Sequence, residues 1–251
     1  NKADPTIVFN DVTKNFGDVD FDLVASSNSS GTFSFIVSDT SVATVNSSTI
    51  TLIGGGSTII TLNQSEVNNY NAGVATMTLT VNKASISITF DDLTKTYGDP
   101  NFEFTATSSS TGAFSFTISN TSIATMVDLT NASIAAVGTS TVEVQQAADD
   151  NYNSSTATMT LTIIKGNPTI IFDDLAKNIN DPNFNFTPVS NSSGTFSYVI
   201  SDTSIDNVIG SNVTILNLGS TLVTLNQAAN TNYNSGSATM TLRILTDPVI
   251  N

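Results

Sequence analysis

Aspartate side chains at repeated positions offer the clearest chemistry in this chain. The repeated positions are Asp11, Asp18, Asp91, Asp92, Asp99, Asp173, Asp174 and Asp181. Most of them flank a predicted turn, and Asn10 supplies a further oxygen where the later copies have Asp. Calcium takes about six to eight oxygen ligands, and carboxylate and amide oxygens suit it. The pattern therefore predicts a calcium site, although Asp also caps turns and keeps loops soluble, and no EF-hand spacing is present.

Catalytic chemistry is poorly supported by the residue types. The chain contains neither His nor Cys, so it lacks the most common general base and the most reactive nucleophile. Asp91-Asp92 and Asp173-Asp174 are adjacent on a strand end, where successive side chains point to opposite faces. Such neighbours are a poor glycosidase pair. We predict that the chain is not an enzyme and has no catalytic or cofactor-binding residues.

Lysine also recurs, at Lys14, Lys95 and Lys177. One interpretation is an intramolecular isopeptide bond to Asn, which requires a buried Lys and a buried Asn with a carboxylate beside them. The other is an exposed lysine paired with a nearby Asp, and it is favoured because lysine is rarely buried. Alternating Thr residues and several Asn-X-Ser/Thr sequons are explained by the composition, although glycosylation stays open for a secreted chain.

These residues recur because the chain consists of three similar segments. Phe9 returns as Phe90 and Phe172, which sets a period of 81 to 82 residues. The same period relates the three Asn-Tyr-Asn motifs, centred on Tyr70, Tyr152 and Tyr233. A repeated sequence indicates a repeated structural unit. We predict three domains, at residues 1–83, 84–165 and 166–251.

Composition limits the partners of such a chain. The 251 residues carry a net charge of −14, which argues against nucleic acid and against anionic membranes. No apolar run is long enough to span a bilayer, so we predict no membrane insertion. The absence of Cys means that disulfides cannot stabilise the domains. Because Asn1-Lys2-Ala3 resembles Asn82-Lys83-Ala84, we expect an earlier repeat and a longer protein, with neighbouring repeats as partners.

The elements that position these residues are short β-strands. In the first segment the alternating runs predict strands at 6–9, 20–25, 32–38, 42–45, 49–53, 57–63 and 73–81. Seven short strands in about 80 residues favour an immunoglobulin-like Greek-key β-sandwich. The fold prediction is therefore all-β, with three such sandwiches in tandem. The links near Lys83 and Lys165 have no flexible Gly/Ser spacer, which predicts an extended rod.

Two finer predictions follow from the alternation and from the turns. On the last strand Met77, Leu79 and Val81 alternate with Thr, so the apolar set should face the core. Gly98 lies in the turn predicted after the first strand of the second segment, and Asn180 occupies the same position in the third segment. Because Asn tolerates positive φ better than other non-glycine residues, this exchange predicts a left-handed backbone at Asn180.

Several segments together resemble a known family. These are Ser41-Val42-Ala43-Thr44-Val45, Gly55-Gly56-Ser57-Thr58-Ile59-Ile60-Thr61, Ala75-Thr76-Met77-Thr78-Leu79-Thr80-Val81 and Lys95-Thr96-Tyr97-Gly98-Asp99-Pro100. They resemble bacterial Ig-like (BIG) repeats, and the last resembles the MBG subtype. The resemblance implies large modular surface adhesins, extracellular filaments, or fibres of phages and other viruses. The third segment departs from the pattern at Ile179-Asn180 and at Ile205-Asp206.

Two functional hypotheses follow from the repeats and the resemblance. The first is a structural spacer or stalk of an extracellular or cell-surface protein, with self-assembly into filaments as a further expectation. The second is a carbohydrate- or protein-binding module that uses the loops at one end of a sandwich, with a virion fibre as another context. The loops largely repeat from segment to segment, which favours the spacer.

Overall fold

The computed structural model describes residues 1–246, and their regular secondary structure consists of β-strands, as predicted. In this part of the chain no helix is present that could span a membrane. The backbone forms two compact units. The first contains residues 1–91, 105–117 and 143–158, and the second contains residues 92–104, 118–142 and the described residues from 159 onward. The boundaries expected after residues 83 and 165 stay a prediction.

The first unit contains a complete sandwich with nine strands. They are β1 (Ile7–Val8), β2 (Val12–Asn15), β3 (Phe21–Asp22), β4 (Ser26–Ser27), β5 (Phe33–Val37), β6 (Ala43–Asn46), β7 (Thr49–Leu52), β8 (Gly56–Gln64) and β9 (Gly73–Asn82). One sheet has the order β2-β9-β8-β5 and the other has the order β3-β7-β6, with β1 pairing β4. This is the strand arrangement of immunoglobulin-type sandwiches.

Strand β2 was missed by the sequence prediction, which placed only a turn after the first strand. It pairs in parallel with β9, so that Val12 lies opposite Leu79 and Lys14 lies opposite Val81. The partner is therefore far away in the sequence, and four residues are too few to show an alternating pattern of their own. Of the predicted strand at 20–25, only Phe21–Asp22 form a strand, β3, and the next strand, β4 (Ser26–Ser27), begins just beyond that range and belongs to a different pairing.

The second unit contains a sandwich of the same construction. Its strands are β17 (Ile170–Ile171), β18 (Leu175–Asn178), β19 (Phe184–Asn185), β20 (Val189–Ser190), β21 (Phe196–Ile200), β22 (Asp206–Ile209), β23 (Asn212–Ile215), β24 (Gly219–Gln227) and β25 (Gly236–Leu245). The sheets have the orders β18-β25-β24-β21 and β19-β23-β22. The first and third segments therefore fold as sandwiches of one type.

The middle segment repeats this order a third time. Its strands are β10 (Leu93–Thr96), β11 (Phe102–Glu103), β12 (Phe114–Ile118), β13 (Ala124–Met126), β14 (Asn131–Ile134), β15 (Gly138–Gln146) and β16 (Ser155–Ile164). The orders β10-β16-β15-β12 and β11-β14-β13 match those of the other two segments. The protein is thus an all-β chain of three tandem immunoglobulin-like sandwiches, as predicted.

The core of each sandwich consists of apolar side chains from the inward faces of its strands. Met77, Leu79 and Val81 are buried, which confirms the predicted inward face of the last strand. Ile60 and Leu62 on the neighbouring strand are also buried. Aromatic side chains pack in the same core, in contacts such as Phe9 with Phe35 (ring centroids 5.7 Å apart) in the first sandwich.

A buried glutamine in each repeat holds the loop that follows β4 or its equivalent. The Nε2 group of Gln64 donates to the carbonyl oxygens of Ser29 and Gly31 (3.0 and 3.1 Å), and its Oε1 accepts from the Ser27 hydroxyl (2.8 Å). Gln146 and Gln227 make the same three bonds in their own repeats. The partners of Gln146 are Ser108, Ser110 and Gly112, and those of Gln227 are Ser190, Ser192 and Gly194. These bonds fix the loop that lies beside the Asn-Tyr-Asn segment.

The turn after β2 and its equivalents follows the prediction in two repeats only. Gly17 and Gly98 have φ of 89° and 96°, in the left-handed region that favours glycine. Asn180 does not share this conformation. Among residues 1–246, Ser47 is the only non-glycine residue with a positive φ. The left-handed backbone predicted at Asn180 is therefore wrong, and the third repeat forms its turn with ordinary φ values.

Candidate functional site: the junction clasps

Three of the predicted calcium-binding aspartates tie two strands together. The carboxylate of Asp11 accepts a hydrogen bond from the backbone N–H of Thr78 (2.7 Å), which lies in β9. Asp92 and Asp174 accept the equivalent N–H groups of their repeats. Their donors are Thr160 (2.6 Å) and Thr241 (2.7 Å). Each of these carboxylates therefore attaches the segment between the first two strands to the last strand.

Three further aspartates cap the next turn. The carboxylate of Asp18 accepts the backbone N–H of Asn15 (2.9 Å), three residues earlier. Asp99 and Asp181 do the same for the N–H groups of Thr96 and Asn178, both at 2.8 Å. Asp91 and Asp173 are exposed. In the described part of the chain no group of three acidic side chains could hold a metal ion. The calcium site stays a prediction, and a melting-temperature shift with calcium would support it.

The repeated lysines make a contact that the sequence did not predict. The ammonium of Lys14 lies over the ring of Phe21, 4.8 Å from its centroid. Lys95 lies over Phe102 at 5.3 Å, and Lys177 lies over its own phenylalanine at 5.1 Å. A cation over an aromatic face is attracted by the ring quadrupole. The lysines thus cover the sandwich edge, and the isopeptide interpretation gains no support from these contacts.

The Asn-Tyr-Asn motifs build the arrangement with the strongest functional implication. In the first unit, residues 149–153 form a loop, here called the presenting loop, that contacts the end of the first sandwich. The ring of Tyr152 packs edge-to-face on Phe16, with centroids 5.4 Å apart and planes at 84°. Edge-to-face pairs contribute about 0.5–1.5 kcal/mol beyond their burial. Phe16 directly follows β2, so the missed strand positions it.

Hydrogen bonds complete the contact between the presenting loop and the first sandwich, which we call the first clasp. Asn151 Oδ1 accepts the backbone N–H of Gly55 (3.0 Å), in the turn between β7 and β8. Ala84 exchanges two backbone bonds with the loop, donating to the Asn151 carbonyl and accepting from the Asn153 N–H, both at 2.9 Å. The ammonium of Lys83 donates to the carbonyl oxygen of Asp149 (2.5 Å). We call the Phe16 ring and the Gly55 N–H, with the turn around Gly55, the receiving surface.

The second unit contains the same clasp. Tyr97 replaces Phe16 and packs edge-to-face on Tyr233, with centroids 5.3 Å apart. Asn232 Oδ1 accepts the backbone N–H of Val137 (3.2 Å). Gly166 exchanges backbone bonds with the presenting loop as Ala84 does, at 3.0 and 2.8 Å, and Lys165 donates to a loop carbonyl (2.6 Å). The two clasps therefore share the ring pair, the bond from the turn N–H to the asparagine, the two backbone bonds and the bond from the lysine to a loop carbonyl.

The presenting loops of both clasps are capped by an Asx side chain. Asp149 Oδ1 accepts the N–H groups of Asn151 (2.9 Å) and Tyr152 (2.8 Å), and its other oxygen accepts from Thr111 and Ser110. Burial alone would raise the pKa of the Asp149 carboxyl, but these bonds outweigh it and hold the pKa well below its usual range. In the second clasp the Oδ1 atom of Asn230 accepts the corresponding N–H groups, at 2.9 and 2.8 Å.

Two halves of the clasp lie elsewhere in the chain. The first repeat has a presenting loop at residues 67–71, held to Ala3 by the same pair of backbone bonds (both 2.9 Å). Val67 stands where Asp149 and Asn230 cap the other loops. The third repeat has a receiving surface in which Ile179 replaces the aromatic ring and Leu218 occupies the position of Gly55. The presenting loop of the first repeat and the receiving surface of the third repeat therefore differ in sequence from the corresponding parts of the two clasps.

A buried carboxylate marks the third sandwich. Asp206 opens β22, opposite Ile215, and is completely buried, with no hydrogen-bond partner for either oxygen within residues 1–246. Burial raises the pKa of this carboxyl to about 6, and the nearby charge of Asp202 adds to the effect. Ala43 and Ala124, also completely buried, occupy this position in the other repeats. The departure at Ile205-Asp206 noted in the sequence is therefore a core substitution.

Sequence reasoning used the Asn-Tyr-Asn motifs only as markers of the period and missed their contacts. The available signal was that Tyr152 and Lys83 recur with the same period although neither lies on a predicted strand. Residues that repeat outside the strands are candidates for contacts between repeats. The buried glutamines were missed for a related reason, since a glutamine in an alternating run is indistinguishable from a solvent-facing polar residue.

Comparison with known proteins gives structural neighbours only. No family model matches the chain, and no curated protein matches it. Similar solved structures include domains 1-6 of the surface layer protein SbsC (15% identity, TM-score 0.33), which cover 100% of this chain; the chain spans 42% of that structure. A three-immunoglobulin-domain structure of titin has 11% identity and a TM-score of 0.35, and covers 98% of this chain and 100% of its own.

A third neighbour is the EC1-3 fragment of Drosophila N-cadherin, with 12% identity and a TM-score of 0.32, covering 95% of this chain and 100% of its own. Scores at this level carry no argument about what this chain does. The class of protein therefore rests on the strand order of the three sandwiches, which is that of tandem immunoglobulin-like domains.

Proposed function

We propose that this chain is a structural spacer segment of a larger extracellular repeat protein, in which the clasps set the geometry between successive sandwiches. The observation that carries the proposal is the repetition of the clasp. Tyr152 with Phe16 and Tyr233 with Tyr97 make the same type of aromatic contact. In each clasp an asparagine side chain accepts the N–H at the equivalent turn position. A contact that recurs with the period belongs to the repeat itself, as expected for a linear array.

The physical role of the clasp is to limit motion at a short link. A link of a few residues restricts two domains only partly, and a packed contact with several hydrogen bonds removes much of the remaining freedom. Across the link the clasp supplies one ring pair and two side-chain bonds, from Asn151 to Gly55 and from Lys83 to Asp149, while the backbone bonds around Ala84 hold the presenting loop itself. A spacer needs this property because its reach depends on the angles between its domains.

The wider context belongs to the same proposal. It includes an MBG-type bacterial Ig-like repeat, an extracellular or cell-surface location, and neighbouring repeats of a longer chain as partners. The sequence resemblance and the net charge of −14 support this context. The extended arrangement expected from the short links also remains part of the proposal, and the maximum dimension from small-angle X-ray scattering tests it.

The experiment measures order at the first link. Spin labels on exposed positions of the first and second repeats, read by pulsed electron resonance, report the distribution of distances between them. The double change of Asn151 and Tyr152 to Ala should broaden this distribution while both sandwiches stay folded. The matched control is Asn69 and Tyr70 to Ala, which alters the same motif where it has no partner from another repeat within residues 1–246.

The outcome distinguishes a clasp from an incidental contact. If the variant in the second repeat leaves the distance distribution as narrow as that of the unchanged chain, the clasps do not set the geometry and the proposal fails. If the control in the first repeat broadens the distribution equally, the effect comes from loop folding rather than from the contact. Circular dichroism of each variant confirms that the strands persist.

A further inference from the structure

An open groove lies along one side of the first sandwich, between the edges of its two sheets. Its volume is about 710 Å³, and its walls include Leu23, Val24, Phe33 and Phe35 on one side and Val45 on the other. Strands β5 and β6 are the end strands of their sheets, so the groove runs between two sheet edges. All of the residues that line it are uncharged.

The wall residue Leu23 has a phenylalanine as its counterpart in the third sandwich. The N–H of Leu23 donates to the carbonyl oxygen of Ser48 (2.8 Å), and the N–H of Phe186 donates to that of Ser211 (2.9 Å). The two backbones are therefore equivalent at this position, and only the side chain differs. The first sandwich has a short aliphatic side chain where the third has an aromatic ring.

The aromatic ring in the third sandwich shows what can fill this place. The ring of Phe186 packs on Tyr198, with centroids 5.0 Å apart. Tyr198 is the counterpart of Phe35, because each pairs with the equivalent leucine of the neighbouring strand. Leu23 brings no ring to Phe35, which stays partly exposed and lines the groove. A ring supplied by a ligand would therefore find an aromatic partner there.

Strand β5 also presents unpaired backbone groups beside the groove. In its antiparallel ladder with β8, the N–H of Ser38 donates to the carbonyl oxygen of Ile59 (3.0 Å). Because the bonding direction alternates along such a ladder, the N–H and C=O groups of Phe33 and Phe35 point away from β8. An extended peptide can pair with an edge of this kind and place every second side chain into the adjoining groove.

The rim of the groove is acidic. The carboxylate of Asp22 accepts a hydrogen bond from the hydroxyl of Ser48, which is one of the lining residues (3.3 Å). Asp20 lies on the same edge and accepts from the Thr51 hydroxyl (2.8 Å). Both aspartates are exposed, and the whole chain has a net charge of −14. The charge therefore favours a basic partner over an acidic one.

We propose that this groove binds an extended peptide segment in which an aromatic side chain is flanked by basic residues. The aromatic ring packs on Phe35, as the ring of Phe186 packs on Tyr198 in the third sandwich. The peptide backbone pairs with the free edge of β5, and the basic side chains lie near Asp22. The first repeat thereby carries a peptide-binding site in addition to its clasp.

The clasps do not use this surface. In the first clasp the second repeat contributes residues 149–153, and the first repeat contributes Phe16, Gly55 and Lys83. The counterparts of these residues in each repeat lie outside the groove. A repeat attached at either end by the same contacts therefore uses other residues, and this inference does not rest on the proposed function.

The test is an NMR titration of the isotope-labelled full chain with a synthetic peptide, acetyl-Lys-Thr-Thr-Phe-Thr-Thr-Lys-amide, up to about 5 mM. We expect saturable shifts at residues 23–25, 33–35 and 45–48. A peptide with alanine in place of the phenylalanine should bind at least about tenfold more weakly, because it has no ring to bury. Exchange of both lysines for glutamate should weaken binding about threefold or more at low salt.

Methylated peptides test the backbone pairing separately. Only every second N–H of a bound strand faces its neighbour in an antiparallel ladder. Methylation of alternate peptide nitrogens should therefore abolish binding in one register and preserve it in the other. Equal binding of the two methylated peptides would contradict the pairing with β5.

Variants of the protein test the groove itself. Leu23→Phe introduces the residue of the third repeat and should weaken binding at least about tenfold, because its ring fills the groove. Val24→Lys is a second variant that keeps the core unchanged, since Val24 is 85% exposed. It should also weaken binding, because it repels the lysines of the peptide. Val19→Lys is the matched control, because Val19 is 84% exposed outside the groove and should leave binding unchanged.

Several results would overturn the inference. They are the lack of saturable shifts up to about 5 mM peptide, shifts centred on other residues, and equal binding of the phenylalanine and alanine peptides. Unchanged binding in both Leu23→Phe and Val24→Lys would exclude the groove as the site. An acidic peptide that binds as tightly as the basic one would contradict the assigned partner.

Discussion

Replacing Asp206 with alanine should stabilise the third sandwich, and the gain should grow as the pH rises from acid to neutral. The perturbation is well defined, because the side chain is completely buried and neither oxygen has a partner in the described chain. Alanine fits the position, since Ala43 and Ala124 are completely buried at the same place in the other two repeats. The change therefore removes a buried acid without a new steric demand.

The magnitude follows from linkage between folding and protonation. The folded-state pKa of Asp206 is about 6, against 3.8 for an unperturbed Asp, because burial and the Asp202 charge disfavour ionisation. A group whose folded pKa is raised contributes its full stability below the unfolded pKa and loses it as the pH rises through the folded pKa. A difference of about two pKa units corresponds to about 3 kcal/mol lost between pH 4 and pH 7.

The assay must resolve one sandwich from the others, because a chain of several domains has no single free energy of unfolding. Hydrogen exchange read by mass spectrometry does so, after correction for the intrinsic pH dependence of exchange. In the unchanged chain, the opening free energy of residues 206–215 should fall by about 3 kcal/mol from pH 4 to pH 7, relative to residues 43–52. In Asp206→Ala this difference should disappear.

The reciprocal variant tests the reasoning from the other side. Ala43→Asp places the same carboxyl at the same position of the first sandwich, and it should transfer the pH dependence to residues 43–52. The argument is refuted if residues 206–215 show the same pH profile as residues 43–52 in the unchanged chain. It is equally refuted if the profile persists in Asp206→Ala, since another group would then carry it.

Three further predictions concern stability. Gly112→Ala should destabilise the second repeat by more than about 3 kcal/mol, because its Cβ would lie 1.9 Å from the carbonyl oxygen of Ala147. Gln146→Leu should cost about 1–2 kcal/mol, because it leaves two part-buried carbonyl groups without their donor. Ser47→Gly should stabilise its hairpin by about 1 kcal/mol, because Ser47 has φ of 58° and Gly210 occupies this turn position in the third repeat. Hydrogen exchange of the affected repeat measures all three.

Each of these predictions has a control in the chain. Gly98→Ala introduces a Cβ with nothing within 4 Å and tests φ alone, so it should cost much less than the Gly112 change. Gln145→Leu alters the exposed neighbour of the buried glutamine and should have little effect. Gly210→Ser should lose about what Ser47→Gly gains. Equal effects within any of these pairs would contradict the corresponding argument.

Much of the fold could be predicted from local patterns. The inward placement of Met77, Leu79 and Val81 is confirmed because alternation with period two is a property of a single strand. The threefold repetition is visible without any structure, and it gives three sandwiches with the same strand order. The strand at 12–15 was missed because its only signal is the parallel pairing with β9.

The candidate site was predicted less well. The aspartates were recognised as repeated, but their role depends on which N–H groups lie opposite, such as that of Thr78 opposite Asp11. The sequence alone determined the composition of the repeat, its period and the faces of its longer strands. The tertiary structure decided that Tyr152 meets Phe16 and that Asp206 lies in a core without a partner. These are contacts between residues distant in the chain, and one strand's alternation does not encode which distant residue will lie against it.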